Sequence, residues 1–140
     1  MTEKWELNLE IDEANLSKEL SQHSAKFVYV AEQAVKAALA CEEFKLKVKE
    51  LYAILDRDAR ALAEADGKKT TEKQIENAVL TNEDYKKASM HLLQLQANAE
   101  ILKGRKEGWR ERGAMLVQLS TNRRAEMEAL TFETVREKAA

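Results

Sequence analysis

The chain has 140 residues, 34% of them charged, with no proline, four glycines and a formal net charge of −2. That length is one domain's worth, and the lack of proline and scarcity of glycine exclude turn-rich β architectures. With only 6% aromatic residues, the composition predicts a thinly packed, all-α single domain over residues 1–140, built of long helices.

Residues 1–23 read as an N-terminal arm with a short helix. Trp5, Leu7, Leu9 and Ile11 alternate loosely, and Asp12 is placed to cap a helix whose apolar face holds Leu16 and Leu20. Glu3 and Glu6 stand where a signal peptide would be basic, and no run of about 18 apolar residues occurs, so a soluble, cytoplasmic protein without membrane contact is expected.

From Ser24 the pattern turns helical. Phe27, Ala31, Ala34, Ala38, Cys41, Val48, Leu51, Leu55, Ala59 and Leu62 recur mostly at steps of three and four, predicting a long helix over 24–66 that stops at Gly67. Cys41 is the lone cysteine. It reads as a small buried hydrophobe in a reducing compartment.

Thr71 followed by Gln74 has the form of a capping box opening a short helix over 71–80, with Ile75, Val79 and Leu80 as its apolar residues. Thr81 or Asn82 then caps a second long helix over 82–120, with Glu83 and Asp84 in its first turn, where the helix dipole favours acids. Its seam is regular: Tyr85, Ala88, Leu92, Leu95, Ala99, Leu102, Lys106, Trp109, Gly113 and Leu116 alternate threes and fours, as in a coiled coil. Gly104, Gly108 and Gly113 interrupt this helix at about 1 kcal/mol each, so either another backbone approaches closely there or the helix bends. The tail, 121–140, reads as one more short helix carrying Met127, Leu130 and Val135.

The expected architecture is therefore a long antiparallel helical hairpin with short N-terminal, connecting and C-terminal helices. Two rods bury one stripe each. Val28, Val35, Leu39, Phe44, Leu46, Leu93, Ile101 and Val117 would stay wet in a monomer, which predicts self-association. Phe27, Val35, Leu39, Phe44, Leu93 and Ile101 are the expected oligomer interface.

No catalytic or cofactor-binding constellation is found. His23 and His91 lie on different segments, so no metal site is expected, and Glu42, Glu43, Asp56 and Asp58 alternate with cations as on a solvated face. The sequence reads as a non-enzyme needing no cofactor.

Residues 101–124 stand out, with seven basic and two acidic side chains. Lys103, Arg105, Lys106, Arg110, Arg112, Arg123 and Arg124 surround Trp109, and cations beside an aromatic ring are what sequence-tolerant binding of single-stranded DNA requires. Trp109 also occupies a seam position, where periodicity favours burial in the hairpin over stacking on a base. One copy would offer a handful of phosphate contacts and salt-dependent affinity on the order of 0.1 mM or weaker; a ring of copies would multiply it.

Several segments resemble small helical proteins of tailed phages, the family of UvsY-like recombination mediators. They are Ile11-Asp12 followed by Leu16 and Glu19, the long helix with Tyr29, and Lys69-Thr70-Thr71-Glu72 with Ile75 and Val79. Asn82-Glu83-Asp84-Tyr85 and Ile101-Leu102-Lys103-Gly104-Arg105-Lys106 leading to Leu116 and Leu119 complete the series, which covers roughly 11–120. The resemblance implies a ring-like homo-oligomer that binds single-stranded DNA and helps load a recombinase onto strands coated by a single-strand-binding protein, in a bacterial host cell if phage-encoded. A Lys-Ala-Arg-Leu-Asp stretch used for DNA contact in the best-known member of that family falls here on Tyr52-Ala53-Ile54-Leu55-Asp56, without either basic residue. DNA contact is then expected at the 103–124 island or at neighbouring Lys49 and Arg57. The alternative function is a helical phage adaptor, scaffold or inhibitor acting through protein contacts alone.

Overall fold

The computed structural model describes residues 2–140. Two short 3-10 turns, Lys4–Leu7 and Glu13–Asn15, precede three helices: α1 (Leu16–Ala65), α2 (Glu72–Leu80) and α3 (Glu83–Ala139). There is no strand among the described residues.

The helices are longer than the apolar periodicity indicates. Asp12 acts as an N-cap, its Oδ1 accepting from the Ala14 N–H at 3.1 Å, but it opens a 3-10 turn that runs straight into α1 at Leu16 instead of a separate short helix. Nothing between Leu16 and Ser24 breaks helix, so the expected start at residue 24 moves back to 16. The tail is likewise no separate helix. After Gly113 the sequence holds no further glycine, and the hydroxyls of Thr121, Thr131 and Thr134 return to the carbonyls of Val117, Met127 and Leu130 at 2.9 Å without interrupting the backbone ladder.

The predicted caps are present. Gly67, at φ +66°, ends α1: its N–H donates to the Glu64 carbonyl at 3.0 Å, and that of Lys68 to Ala63 at 3.1 Å, the 5→2 and 6→1 bonds of a Schellman turn. Thr71 and Gln74 close a reciprocal capping box, with bonds of 3.3 and 3.0 Å. Asn82 Oδ1 accepts from the N–H groups of Asp84 and Tyr85 at 2.9 and 3.2 Å, starting α3.

Packing divides the chain into two compact units, Met1–Gln33 with Leu102–Ala140, and Ala34–Ile101. Leu16, Val30, Trp109 and Leu116 are the buried apolar residues of the first. In the second, Ala34 and Cys41 of α1 are buried together with Ile75 and Val79 of α2. Burying Ile75 and Val79 is worth about 1.5–3 kcal/mol each, enough to dock a helix too short to persist alone. Within that unit the rings of Phe44 and His91 lie 4.6 Å apart and those of Tyr52 and Tyr85 5.8 Å apart. Arg60 joins Asp56 to Glu72 across the turn, and its salt bridges are solvent-exposed.

Many large apolar side chains face solvent. Val28, Val35, Leu39 and Leu46 of α1 and Leu93, Ile101 and Val117 of α3 are all more than half exposed. Phe27 and Phe44, expected beside them, are half-buried against their own chain, Phe27 stacked on His23 and Phe44 edge-on to His91.

Candidate functional site

The basic island lies on the α3 segment of the first unit, and the N-terminal arm lies across it. Trp109 is 1% exposed. Its indole N–H donates to the Glu6 carbonyl at 2.9 Å, its ring meets Trp5 edge-on at 5.5 Å, and His23 stacks against it at 5.8 Å. Periodicity favoured a buried Trp109, and burial is what the structure shows. Its role as a stacking platform for a base is absent in this conformation.

Arg112 is also buried, at 7% exposure. Its guanidinium lies 4.9 Å from the Trp109 ring, donates from Nη2 to the Glu10 carbonyl at 2.9 Å, and pairs with the Glu19 carboxylate. Arg105 pairs with Glu6 at 3.4 Å, with side chains 16% and 5% exposed. Glu6 keeps its other oxygen on the Glu3 N–H, 3.0 Å away. Arg123 Nη1 reaches the Glu13 carbonyl at 2.9 Å. Three of the seven cations of the island are thus committed to the arm.

Of the remaining four cations, Lys103, Arg110 and Arg124 face outward. Lys103 and Arg124 are exposed and make no ion pair among the described residues, Lys106 is half-buried, and Arg110 is exposed beside Glu107 at 3.1 Å. Lys103, Arg110 and Arg124 stand at steps of seven and fourteen residues, which puts them along one side of α3 over about 30 Å. Lys49 and Arg57, in the second unit, are exposed, Arg57 beside Asp58 at 3.5 Å.

Two of the three α3 glycines permit close approach to this cluster. A Cβ at Gly108 would lie 3.0 Å from Leu9 of the arm, and one at Gly113 would lie 2.5 Å from His23 Nε2, whereas Gly104 has open space around it. Burial, and then the nearby Arg112 charge, lower the His23 pKa from its ordinary value, which favours the neutral ring beside two cations, Arg112 and Lys26. His23 Nδ1 and Arg112 Nε are buried without a hydrogen-bond partner among the described residues.

Sequence reasoning missed the arm's part in this cluster. Glu6, Glu10 and Glu13 of the arm, with Glu19 of α1, supply the oxygens, and the one available signal was charge segregation: residues 1–25 hold six acids and two bases, the reverse of the 101–124 balance. Among the described residues, no three or more His, Cys, Asp or Glu side chains gather as a metal-ligand set would, and no helix is long and apolar enough to cross a membrane. No family model matches this chain, and neither a curated protein nor a solved structure does.

Proposed function

We propose that the chain is a self-assembling, single-stranded-DNA-binding recombination mediator, whose copies present α3 cations to the strand and help a recombinase occupy it. The supporting observation is the outward row Lys103, Arg110 and Arg124 along one side of α3. Cations spaced along a rod follow a phosphate backbone without reading bases. Three contacts per copy give weak binding; repetition in a ring supplies the rest.

Assembly is supported by the uncovered Val35, Leu39, Leu93 and Ile101. Antiparallel pairing is supported by the order of the cross-helix contacts, in which Phe44 meets His91 and, eight residues later, Tyr52 meets the earlier Tyr85. Engagement of a recombinase and a single-strand-binding protein rests on the family resemblance alone.

Titrating labelled oligothymidylate by fluorescence anisotropy at two salt concentrations tests the reading. Binding should weaken steeply with salt, and Lys103→Glu with Arg110→Glu should weaken it about tenfold or more. These two positions are chosen because they face solvent, so their loss leaves the arm contacts intact. No binding at low salt would sink the proposal.

A second reading, a helical adaptor or scaffold acting through protein contacts, is favoured by one observation. Met127, Leu130, Phe132 and Val135 near the end of α3 are 60–71% exposed, an apolar segment of the kind a partner helix covers.

A further inference from the structure

The arm contacts pose a question that packing alone does not answer. An arm needs only apolar anchors to dock, and Trp5 is one; yet this arm sets oxygen after oxygen on the arginines of α3. The Glu6 carboxylate is on Arg105, the Glu10 carbonyl on Arg112 and the Glu13 carbonyl on Arg123, along about 27 Å of helix, while Trp5 lies against the Trp109 ring. An anionic strand with aromatic bases would place the same chemistry at the same positions: oxygens on the guanidiniums and a ring against the indole.

Resting on the DNA-binding reading above, we infer that residues 3–13 are an acidic latch that occupies the inner half of the strand-binding surface, and that a single strand displaces the latch to reach Trp109, Arg105 and Arg112. The arm is suited to release. Its regular structure consists of two 3-10 turns, Leu7 and Leu9 are 65% and 45% exposed, and Glu6, Glu10 and Glu13 hold α3 through polar contacts. When the arm leaves, Arg112 keeps its Glu19 partner on α1 and loses only the Glu10 carbonyl, which opens that side of the guanidinium to a phosphate oxygen. The outward cations Lys103 and Arg110 need no release, so they provide the first contact and the latched residues the second.

The test locks the latch in the full-length chain. Leu9 and Gly108 touch, so Leu9→Cys with Gly108→Cys, in a Cys41→Ser background, would tie the arm to α3 when oxidised and free it when reduced. Oligothymidylate should bind the oxidised form about tenfold or more weakly than the reduced form. As an independent variant, Glu6→Gln removes the carboxylate charge that faces Arg105 while keeping a side-chain oxygen for the Glu3 N–H, and should tighten binding several-fold. Equal affinity of the oxidised and reduced forms, or unchanged or weaker binding by Glu6→Gln, would overturn the latch and leave the DNA-binding reading standing. If the wild type, the reduced form and Glu6→Gln all fail to bind at low salt, the DNA-binding reading falls and the latch falls with it.

Discussion

Trp109 and Glu6, 103 positions apart in the chain, share a buried hydrogen bond of 2.9 Å from indole N–H to main-chain carbonyl. It fastens the arm to α3 at Trp109, whose ring also meets Trp5, His23 and Arg112. Trp109→Phe would keep most of the packing and orphan the carbonyl, costing about 1–3 kcal/mol. Trp109→Ala would lose the ring as well and cost about 3–5 kcal/mol. Urea unfolding followed by circular dichroism measures both, and a Trp109→Ala loss under 1 kcal/mol would show that this contact does not anchor the unit.

The α3 glycines should separate cleanly by their surroundings. Gly104 has no atom within 4 Å of a built Cβ, so Gly104→Ala should stabilise the helix by about 1 kcal/mol through propensity alone. At Gly113 the methyl would meet His23, whose ring is stacked between Phe27 and Trp109 and has little room to yield. Gly113→Ala should therefore destabilise, and His23→Ala should relieve part of that loss when the two are combined. Thermal melts of the two glycine variants, of His23→Ala and of the combined variant decide it. Equal stabilisation at both glycines would contradict the close approach.

These pairings show what could and could not be read in advance. Helix identity was legible because proline is missing and because the caps at Gly67, Thr71 and Asn82 act through neighbours at most four residues away. The fates of Arg105, Arg112 and Arg123 were not legible, since their partners lie 99, 93 and 110 residues off and no local period encodes them. Trp109 fell between: its seam position indicated burial, while its cover, Trp5 of the arm, lies outside any helical pattern. The joins at Leu16 and after Thr121 were misplaced for a related reason, because helix continues through polar sequence wherever nothing breaks it, and apolar spacing is silent there.

His23 gives the first unit a pH dependence with a definite sign. Its folded pKa is depressed below 6.5, first by burial and then by Arg112, against an opposing pull from Glu19. Below 6.5 the unfolded chain takes up a proton that the folded chain resists, so stability falls as pH drops from 6.5 toward the lower folded value and levels off beneath it. Chemical denaturation at a series of pH values should show that slope, and His23→Gln should flatten it. A variant with the same slope as the wild type would assign the dependence to other groups.

The outward apolar residues carry the assembly proposal, and they can be removed without touching a core. Val35 and Leu39 are 65% and 56% exposed and four residues apart on α1, so Val35→Asp with Leu39→Asp should change the stability of an isolated subunit by only about 0.5 kcal/mol per site. If those side chains are covered by a second copy, the same carboxylates would be buried unpaired in the interface, at a cost of several kcal/mol, and assembly would fail. Light scattering should then give a wild-type mass several times 15.9 kDa and a variant mass near that figure, with helicity preserved in both. A wild-type chain that scatters as one 15.9 kDa species at tens of micromolar leaves these residues exposed in solution, removes the multiplication of weak phosphate contacts on which strand binding depends, and favours the adaptor reading.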